Sequence, residues 1–337
     1  MIDGVAITNF RGHTHTAVED LRPVNLVVGG NGTGKTAFLE AVYLCTGTSP
    51  ELGMRIKVAR GFQTYAMSNS NHGRHHFWDD LFNNYNQTTP ISIVLSRDQH
   101  PLRSLVIERL GGTSPIQSMS GPVPVLPHVA SEPGITFKYL ASPLPLVVDA
   151  TPTLGQNGRL TFAKAPDLTP LKCAFFSSYT QPTAEELADL YSSLSARGAS
   201  YAINEAISAE YLFISGISIE MHLGTATVCA SIVGSAHKIP LHNVSGGVTR
   251  FFAILLAVAA NAGGIVLIDE IDSGVQYDKL QSLWRRVCDV ATEYQTQVLA
   301  TSHSLECVLA AGRVAKDRAS DFRLVRLTRK QGQIGVA

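Results

Sequence analysis

Eight consecutive residues near the start of the chain, from Gly29 to Thr36, have the types and spacing that hold a phosphate chain. They fit the pattern Gly-x4-Gly-Lys-[Ser/Thr], in which the glycines let the backbone curl until its N–H groups face the phosphates. In this pattern Lys35 reaches the β- and γ-phosphates, and the Thr36 hydroxyl binds Mg²⁺. The predicted phosphate-binding residues are Gly29, Asn31, Gly32, Thr33, Gly34, Lys35 and Thr36.

Asp269 and Glu270 form a second group, and they directly follow the apolar run 265–268. Such a run predicts a central strand, and α/β sheets bind their ligands at the carboxyl ends of strands. In this Walker B pattern Asp269 would hold Mg²⁺ through water, and Glu270 would orient or deprotonate the attacking water. Together with the loop 29–36, the acidic pair predicts nucleotide hydrolysis.

Two further motifs lie on either side of the acidic pair. Ser245, Gly246 and Gly247 precede a predicted helix, where a hydroxyl and exposed N–H groups offer a second anion site. His303 ends a predicted strand, where a neutral imidazole can contact a γ-phosphate and sense its loss. Taken alone, the first motif indicates an ordinary helix start, and the histidine indicates a structural residue. Their positions favour the functional interpretation, with Lys35, Glu270 and His303 as the catalytic residues.

Hydrophobic patterning predicts the elements that position these residues. The run 24–28 indicates a buried strand before the phosphate loop, and residues 37–44 indicate an amphipathic helix after it. After residue 248, predicted helices and strands alternate, which indicates a mostly parallel sheet with helices on its faces. These elements are helices at 249–261, 276–292 and 304–311 and strands at 265–268, 297–301 and 322–328.

The middle of the chain has a different pattern. Residues 91–95 and 105–110 indicate antiparallel strands. Residues 111–170 hold ten of the sixteen prolines, which predicts an irregular, β-edged insertion because proline removes backbone donors. Thr183, with Glu186 three residues later, opens a predicted helical region, and short strands follow it.

The composition limits the class of protein. The 337 residues carry no formal net charge, and charged residues make up 16%, against about 25% in typical domains. This argues against a generally basic nucleic-acid binder, although a local basic patch stays open. Low charge together with 45% hydrophobic residues predicts that a partner covers some of the surface. The basic residues near the C-terminus are Arg323, Arg326, Arg329 and Lys330.

Targeting features favour the cytoplasm. The N-terminus has neither a basic region nor a long apolar run, so we expect no signal peptide. The apolar stretch 251–268 is interrupted by Asn261 and two glycines, which fits a buried helix and strand better than a membrane span. The five cysteines are scattered without a CxxC pair, as in a reduced cytosolic protein.

The order of the motifs resembles that in the heads of ABC-type ATPases, on the RecF/SMC-like side. The resemblance is closest to the ATPase region of OLD-family (overcoming lysogenization defect) proteins and related bacterial phage-defence ATPases, over about residues 2–50 and 240–312. It implies an α/β P-loop NTPase fold of ABC-ATPase type, with a mostly parallel central sheet, an antiparallel β lobe and a helical lobe. The motifs are, in order, Asn9-Phe10-Arg11, the loop 29–36, Ser245-Gly246-Gly247, Asp269-Glu270 and Ser302-His303.

The resemblance also implies how the cofactors ATP and Mg²⁺ are held. In such proteins ATP lies between two heads, so we expect a homodimer or a higher homo-oligomer. Each head contributes its phosphate loop, its acidic pair and His303 to its own nucleotide, with Thr36 and Asp269 at the metal. The Ser-Gly-Gly motif of each head, which begins at Ser245, then acts in trans on the partner's nucleotide.

Two further binding residues follow from the resemblance. Arg11 matches the arginine that approaches the nucleotide in RecF-like heads. Gln181 is matched to a glutamine that such heads place where the strands pass into the helical lobe. Gln63 is the rival for that role.

Two departures from the family shape the expected function. OLD nucleases continue into a metal-dependent TOPRIM nuclease domain, whereas here 34 residues follow His303 and no second acidic group is present. The long arms of SMC-like proteins are also missing. We therefore expect an ATPase that passes a conformational change to a separate effector, such as a nuclease, in anti-phage defence or the DNA-damage response. No membrane partner is expected, and nucleic acid stays open.

We expect a single head over residues 1–337. Within it, the sequence predicts a P-loop and antiparallel β region (residues 1–110), a proline-rich insertion (residues 111–173), a helical lobe with short strands (residues 174–240) and a motif-bearing region (residues 241–337).

Three alternatives stay open: a RecF-like DNA-binding clamp, a P-loop kinase and a slow-cycling ATP-dependent scaffold. Zero net charge counts against the clamp, and the Ser-Gly-Gly and Asp-Glu motifs count against the kinase. Three histidines within residues 72–76 predict a polar loop more strongly than a metal site. Trp78 fits either a docking element or the core.

Overall fold

The computed structural model describes residues 1–61, 78–109, 135–141, 144–149, 153–154, 160–164, 168–178, 182–330 and 332–337. In chain order the strands are β1 (Gly4–Phe10), β2 (His13–Val18), β3 (Val24–Val28), β4 (Ile91–Arg97), β5 (His100–Arg109), β6 (Ile135–Ala141), β7 (Leu144–Asp149), β8 (Thr153–Leu154), β9 (Leu160–Thr161), β10 (Cys173–Phe176), β11 (Ile214–His222), β12 (Thr225–Ile232), β13 (Lys238–Pro240), β14 (Ile265–Ile268), β15 (Gln297–Ser302), β16 (Phe322–Lys330) and β17 (Gln333–Val336). The helices are α1 (Lys35–Thr46), α2 (Glu51–Ala59), α3 (Ala184–Ser195), α4 (Ser200–Glu210), α5 (Leu241–Val244), α6 (Gly246–Ala260), α7 (Leu280–Glu293) and α8 (Leu305–Asp317).

Six strands form a central sheet in the order β10-β14-β15-β3-β16-β17. The first five strands are parallel, and only β17 pairs antiparallel, with β16. Every residue of β14 and β15 is buried, as expected for parallel strands with both faces covered. The predicted mostly parallel sheet is confirmed. Its strand order sets the carboxyl ends of β14, β15 and β3 side by side at one edge.

A second sheet is antiparallel, in the order β2-β1-β4-β5-β6-β7. Its β4 alternates buried Ile91, Ile93 and Leu95 with half-buried residues, which is the pattern of a sheet with one face in a core. Helix α1 contacts β4 and β5 of this sheet and also β10 and β14 of the central sheet. The antiparallel lobe therefore packs against the central sheet through the helix that follows the phosphate loop.

Strands β6 and β7 fall in the segment that the sequence predicts as an irregular, β-edged insertion. They continue the antiparallel sheet beyond residue 110, because β6 pairs with β5 along six residue pairs. Proline spacing alone does not reveal this pairing.

The opposite face of the central sheet carries α6, α7 and α8, which share one hydrophobic core with α3, α4 and strands β11 and β12. Phe251, Phe252 and Trp284 are fully buried in this core. The Trp284 ring meets Phe322 of β16 edge-on at 5.4 Å between centroids. The helical lobe of the expected fold is present, and the three-stranded sheet β11-β12-β13 lies beside its helices.

Several boundaries differ from the sequence prediction. Helix α6 begins at Gly246 rather than at residue 249, so the two glycines form its first turn instead of preceding it. Helix α7 begins at Leu280, after a single 3₁₀ turn at Tyr277–Lys279. Helix α2 (Glu51–Ala59) occupies a stretch whose sequence looks merely polar and mixed. Trp78 is a core residue, 3% exposed, and not a docking element.

The apolar stretch 251–268 is divided between α6 and β14, as its interruptions predict. Among the helices that the structure describes, none has the length and apolarity needed to cross a membrane. All five cysteines are free.

The capping box at the start of α3 offers a stability test. The Thr183 hydroxyl accepts a hydrogen bond from the Glu186 N–H, and the Glu186 carboxylate accepts one from the Thr183 N–H. Thr183→Ala is expected to lower the free energy of unfolding by about 1 kcal/mol, measured by urea denaturation. Thr183→Ser is the control, because it keeps the capping oxygen. An unchanged midpoint in the alanine variant would contradict the assignment.

Candidate functional site

The phosphate loop lies between β3 and α1, and hydrogen bonds from Lys35 to two of the loop's own carbonyl groups hold it together. Lys35 Nζ donates to the carbonyl oxygens of Gly29 (2.8 Å) and Gly30 (3.1 Å). Burial lowers the pKa of Lys35, while Asp269, Glu270 and Asp272 act in the opposite direction. A nucleotide would offer this ammonium phosphate oxygens in place of neutral carbonyls, and hydrogen bonds between charged groups are about twice as strong.

Gly34 must be a glycine for two reasons. Its φ of +83° lies in the left-handed region, which side chains other than glycine rarely adopt. A Cβ atom would also lie 2.7 Å from His13 Nε2 and from Ile334 Cδ1, so the space for a side chain is missing.

The metal-binding pair predicted from the sequence is brought together across the sheet. Thr36 Oγ1 lies 3.0 Å from Asp269 Oδ1 and 3.1 Å from Oδ2, although the two residues are 233 positions apart. Asp269 is 1% exposed, so its carboxylate is kept in place by hydrogen bonds and not by solvent. One hydroxyl and one carboxylate fit Mg²⁺, which keeps several waters and takes few protein ligands.

Two hydroxyl groups that the sequence analysis missed also bind this carboxylate. Ser178, two residues after β10, donates to Asp269 Oδ2 at 2.8 Å. Thr301, on the neighbouring β15, donates to Asp269 Oδ1 at 2.7 Å. Both residues lie at strand ends that adjoin β14, so only the strand order could have identified them.

Glu270 has an uncommon backbone conformation, with φ at +49°. Its N–H donates to Thr301 Oγ1 at 2.9 Å, and Arg250 Nη2 lies 3.4 Å from its carbonyl oxygen. These contacts hold a conformation that costs of order 1 kcal/mol or more in a residue other than glycine. The carboxylate of Glu270 is 3.8 Å from His303 Nδ1, so the predicted base and the predicted sensor adjoin each other.

The phosphate loop from Asn31 to Thr36, the acidic pair and His303 line one open cavity of about 550 Å³, a usual size for a small-molecule site. The cavity therefore brings together most of the residues predicted for the nucleotide and the metal. Its lining residues are Arg11, Gly12, Asn31, Gly32, Thr33, Gly34, Lys35, Thr36, Ala37, Arg60, Asp80, Asp269, Glu270 and His303.

Arg11 lines the cavity and is paired with a buried acid beneath it. Its Nη1 is 3.1 Å from Glu40 Oε2, and Glu40 is 1% exposed. Arg60 also reaches Glu40, with Nε 2.7 Å from Oε1 and Nη2 3.0 Å from Oε2. Burial raises the pKa of Glu40, and the two guanidinium groups oppose that shift. Arg60, at the end of α2, is a cavity residue that the sequence analysis did not single out.

The Ser-Gly-Gly motif does not line this cavity. Ser245 and Gly246 are exposed at the start of α6, where the first N–H groups of a helix lack intrahelical partners. A Cβ atom on Gly247 would lie 2.8 Å from the carbonyl oxygen of Gly274, in the loop that follows the acidic pair. Ser245 and Gly246 therefore face solvent, whereas Gly247 packs against the loop that follows Asp269 and Glu270 in the same subunit.

Arg250 joins the helix of this motif to the acidic pair. It is 1% exposed, and its Nη2 donates to the carbonyl oxygen of Asp269 at 3.1 Å. Burial lowers the pKa of Arg250, and the nearby carboxylates oppose the shift. Sequence reasoning missed this residue because nothing in its local pattern distinguishes it from a solvated arginine.

Gln181 and its rival Gln63 lie outside the described residues, so their predicted role is untested. The same holds for the histidines within 72–76. Among the residues that the structure describes, no group of three or more His, Cys, Asp or Glu side chains could hold a metal ion.

Comparisons with known proteins agree with this geometry. Residues 5–100 match a family described as "AAA domain", and residues 184–308 match one described as "AAA domain, putative AbiEii toxin, Type IV TA system". The first match contains the phosphate loop, and the second contains the Ser-Gly-Gly motif, the acidic pair and His303.

Whole-chain relatives are distant. An "ATP/GTP phosphatase" of Helicobacter pylori (strain ATCC 700392 / 26695) is 19% identical over 347 residues, which cover 94% of this chain and 89% of the relative. Among solved structures, an SMC head bound to the C-winged helix domain of ScpA is 13% identical, with a TM-score of 0.50, over 100% of this chain and 96% of the other. The SMC head domain from Thermotoga maritima is 12% identical, with a TM-score of 0.47, over 100% and 98%.

The fold is that of a P-loop ATPase head. Both motif-bearing regions of the chain match AAA domains, so the enzyme class expected from the sequence, an ATPase, is confirmed. The expected α/β fold of ABC-ATPase type is confirmed as well, through the SMC head with the TM-score of 0.50 and the sheets described above.

Thr301 contacts both members of the acidic pair, and the effect of these contacts on turnover can be tested. Thr301→Val keeps the shape of this buried side chain but removes both hydrogen bonds, and it leaves the Glu270 N–H without its acceptor. Turnover at saturating ATP is expected to fall about tenfold or more, because an unpaired buried group costs about 1–3 kcal/mol. Phosphate release measures this, with circular dichroism as a check on folding. Thr301→Ser should retain most activity, and parental turnover in the valine variant would refute the role.

Proposed function

We propose that this protein binds ATP with Mg²⁺ in the described cavity and hydrolyses it. The observation that carries this proposal is the contact between Thr36 and Asp269, beside Lys35 and Glu270. These four side chains come from the end of β14 and from the start of α1, and they meet at the carboxyl edge of the central sheet. Their chemistry matches what a triphosphate and its metal require.

Each side chain has a defined task in this proposal. Lys35 exchanges its carbonyl partners for the β- and γ-phosphates, and Thr36 and Asp269 hold the metal, directly or through water. Bound Mg²⁺ would neutralise charge on the phosphates. Glu270 orients the attacking water and accepts its proton, and the hydrogen bonds from Thr301 and Arg250 keep its backbone in place. His303, next to the Glu270 carboxylate, contacts the γ-phosphate.

The ATP site is a composite site, formed by the cavity of one subunit and the Ser-Gly-Gly motif of a second copy of the chain. The support is the position of Ser245 and Gly246, which are exposed and outside the cavity of their own subunit. The exposed N–H groups at the start of α6 suit an anion, since a helix N-terminus carries partial positive charge. A γ-phosphate held by a partner's loop is the anion that fits. ATP would thereby hold two heads together.

The output of hydrolysis is a conformational change passed to a separate effector, such as a nuclease, in anti-phage defence or the DNA-damage response. The OLD-like order of motifs supports this role. Further support comes from the description of the family that matches residues 184–308, which names an AbiEii toxin and a Type IV TA system. The SMC head of similar fold is bound to a domain of a partner protein, ScpA.

A RecF-like DNA-binding clamp is the second candidate, and one observation favours it. Strand β16 exposes four basic side chains, of which Arg329 reaches the Gly32 carbonyl oxygen of the phosphate loop, and exposed basic residues bind phosphate backbones. These residues are Arg323, Arg326, Arg329 and Lys330. Purification of tagged protein with its neighbouring gene products separates the two candidates. Co-purification of an effector protein supports signalling, and salt-sensitive DNA binding without an effector supports the clamp.

Glu270→Gln tests the proposed base. The amide keeps the size of the side chain but cannot accept a proton, so turnover should fall about 10²- to 10⁴-fold while ATP still binds. The trapped nucleotide should then shift the protein toward the dimer, because it binds that state preferentially. Phosphate release and light scattering with ATP measure the two effects. Glu293→Gln, at an exposed position on α7, is the control. Parental turnover in Glu270→Gln would exclude the role.

Ser245→Arg tests the composite site. Each subunit should still bind ATP with its own loop, but hydrolysis should be lost because the new side chain occupies the place of the partner's γ-phosphate. Mixing Ser245→Arg with Lys35→Ala subunits gives a sharper test. One site of the mixed dimer then carries both defects, and the other is intact, so the mixture should regain up to one active site per mixed dimer.

The possible results of the mixing experiment differ in what they exclude. Recovery of activity on mixing would exclude a monomeric enzyme. Lack of recovery is less decisive, because it fits both a monomeric enzyme and a dimer in which both sites must be intact for either to work. Hydrolysis by Ser245→Arg alone at the parental rate would refute the assignment of the Ser-Gly-Gly motif.

A further inference from the structure

Two carbonyl groups of the phosphate loop accept hydrogen bonds from side chains outside the motif. His13 Nε2, at the start of β2, is 3.0 Å from the carbonyl oxygen of Gly34. Arg329 Nη1, near the end of β16, is 3.2 Å from the carbonyl oxygen of Gly32. The two donors reach alternate residues of the loop, and they come from opposite ends of the chain.

The hydrogen bonds of His13, together with its burial, indicate a neutral ring that carries its proton on Nε2. The ring is fully buried, and its second nitrogen, Nδ1, is 2.9 Å from Thr16 Oγ1. A carbonyl oxygen can only accept, so Nε2 carries the proton, and Nδ1 accepts from the Thr16 hydroxyl. Burial lowers the pKa of His13, which agrees with a neutral ring. The histidine is therefore a fixed donor to Gly34.

Arg329 reaches the loop from the hairpin of β16 and β17. Its direct cross-strand neighbour, Ile334 of β17, is 3% exposed. The Ile334 Cδ1 atom lies 3.1 Å from where a Cβ of Gly12 would be, and 2.7 Å from the same point on Gly34. The hairpin is thus packed against both the phosphate loop and the turn before β2. This packing holds the backbone of Arg329 in place, so that its side chain starts from a fixed position.

We propose that His13 and Arg329 are positioning residues that orient the loop for phosphate before the nucleotide arrives. A trans peptide group is planar, so the direction of one carbonyl sets the opposite direction of the next N–H. The bond to the Gly32 carbonyl therefore directs the N–H of Thr33, and the bond to the Gly34 carbonyl directs the N–H of Lys35. With the carbonyls held outward, the Lys35 N–H at the start of α1 is turned to the phosphate side. The Thr33 N–H is directed at the Gly30 carbonyl oxygen (3.4 Å), which Lys35 Nζ also binds and which a phosphate would replace. The inference rests on the proposed function, in which this loop holds the phosphates of ATP.

The role differs from that of a catalytic residue or of a general positive charge. Neither side chain needs to touch the nucleotide, because both act through the backbone that binds the β-phosphate. Loss of either donor should therefore lower the affinity for ADP and the affinity for an ATP analogue by the same factor. A residue that contacted the γ-phosphate directly would discriminate between the two nucleotides.

The experiment compares paired substitutions at each position by isothermal titration with ADP and with a non-hydrolysable ATP analogue. His13→Ala and Arg329→Ala remove the donors, and each should weaken both nucleotides about three- to tenfold, the worth of one hydrogen bond. His13→Gln places an amide N–H close to the position of the ring Nε2, and Arg329→Lys keeps a long side chain that ends in a donor. Both substitutions should recover most of the affinity. Turnover at saturating ATP should stay within about twofold of the parent, because the hydrolytic residues are untouched.

Arg326→Ala is the charge-matched control. It removes one exposed positive charge from the same strand, on the opposite face from Arg329, and nucleotide binding should equal that of the parent. If Arg326→Ala weakens binding as much as Arg329→Ala does, general charge and not positioning explains the effect. If His13→Gln restores none of the affinity lost in His13→Ala, positioning by His13 is refuted. A loss for the ATP analogue alone would also overturn the role. If His13→Ala fails to fold because His13 is buried, the two variants of the exposed Arg329 still test the positioning role.

The test separates this inference from the proposed function. Parent protein that binds no nucleotide, or binding that Lys35→Ala leaves unchanged, would refute the proposed ATP site itself. Binding that depends on Lys35 but is unaltered in both alanine variants would refute only the positioning role.

Discussion

The carboxylate of Asp269 is the interaction on which the rest of the site depends. It is almost completely buried, and an uncompensated buried charge costs several kcal/mol, so every group around it must offer a hydrogen. Thr36 and Ser178 supply two of the three hydroxyls, and Thr301 supplies the third while it also fixes the backbone of Glu270. The acidic group thereby joins the ends of β10, β14 and β15 to the start of α1, and it aligns the proposed base.

The features of the site that depend on local sequence could be predicted. The phosphate loop can be recognised from one short segment, because its glycines shape the backbone there and Lys35 and Thr36 project their side chains from the same segment. The acidic pair follows a wholly apolar strand, and the alternation of helices and strands after residue 248 indicates a parallel sheet. That sheet and the ATPase class are confirmed. The roles of the individual site residues, and the region boundaries within the head, stay predictions.

The remainder depends on strand order, which spacing along the chain does not encode. Thr301 meets Asp269 only because β15 lies between β14 and β3. Arg250 and Arg60 look like ordinary surface residues in sequence, and only burial or the shared acid Glu40 reveals their positions. Strands β6 and β7 extend a sheet through a proline-rich segment, and helix α2 occupies a stretch with weak helical pattern. In each case contacts with distant parts of the chain determined the secondary structure more strongly than the local sequence preference did.

The place of β3 in the central sheet has a consequence for how the protein is made. This strand precedes the phosphate loop, yet its two neighbours, β15 and β16, lie far downstream in the chain and leave the ribosome much later. Until they emerge, β3 has no partner in the sheet, and pairings between such distant segments form slowly. An incomplete chain therefore exposes an apolar edge that other chains can join, and it needs protection from aggregation during synthesis. The proposed nucleotide site can therefore form only after the chain has been synthesised as far as β16.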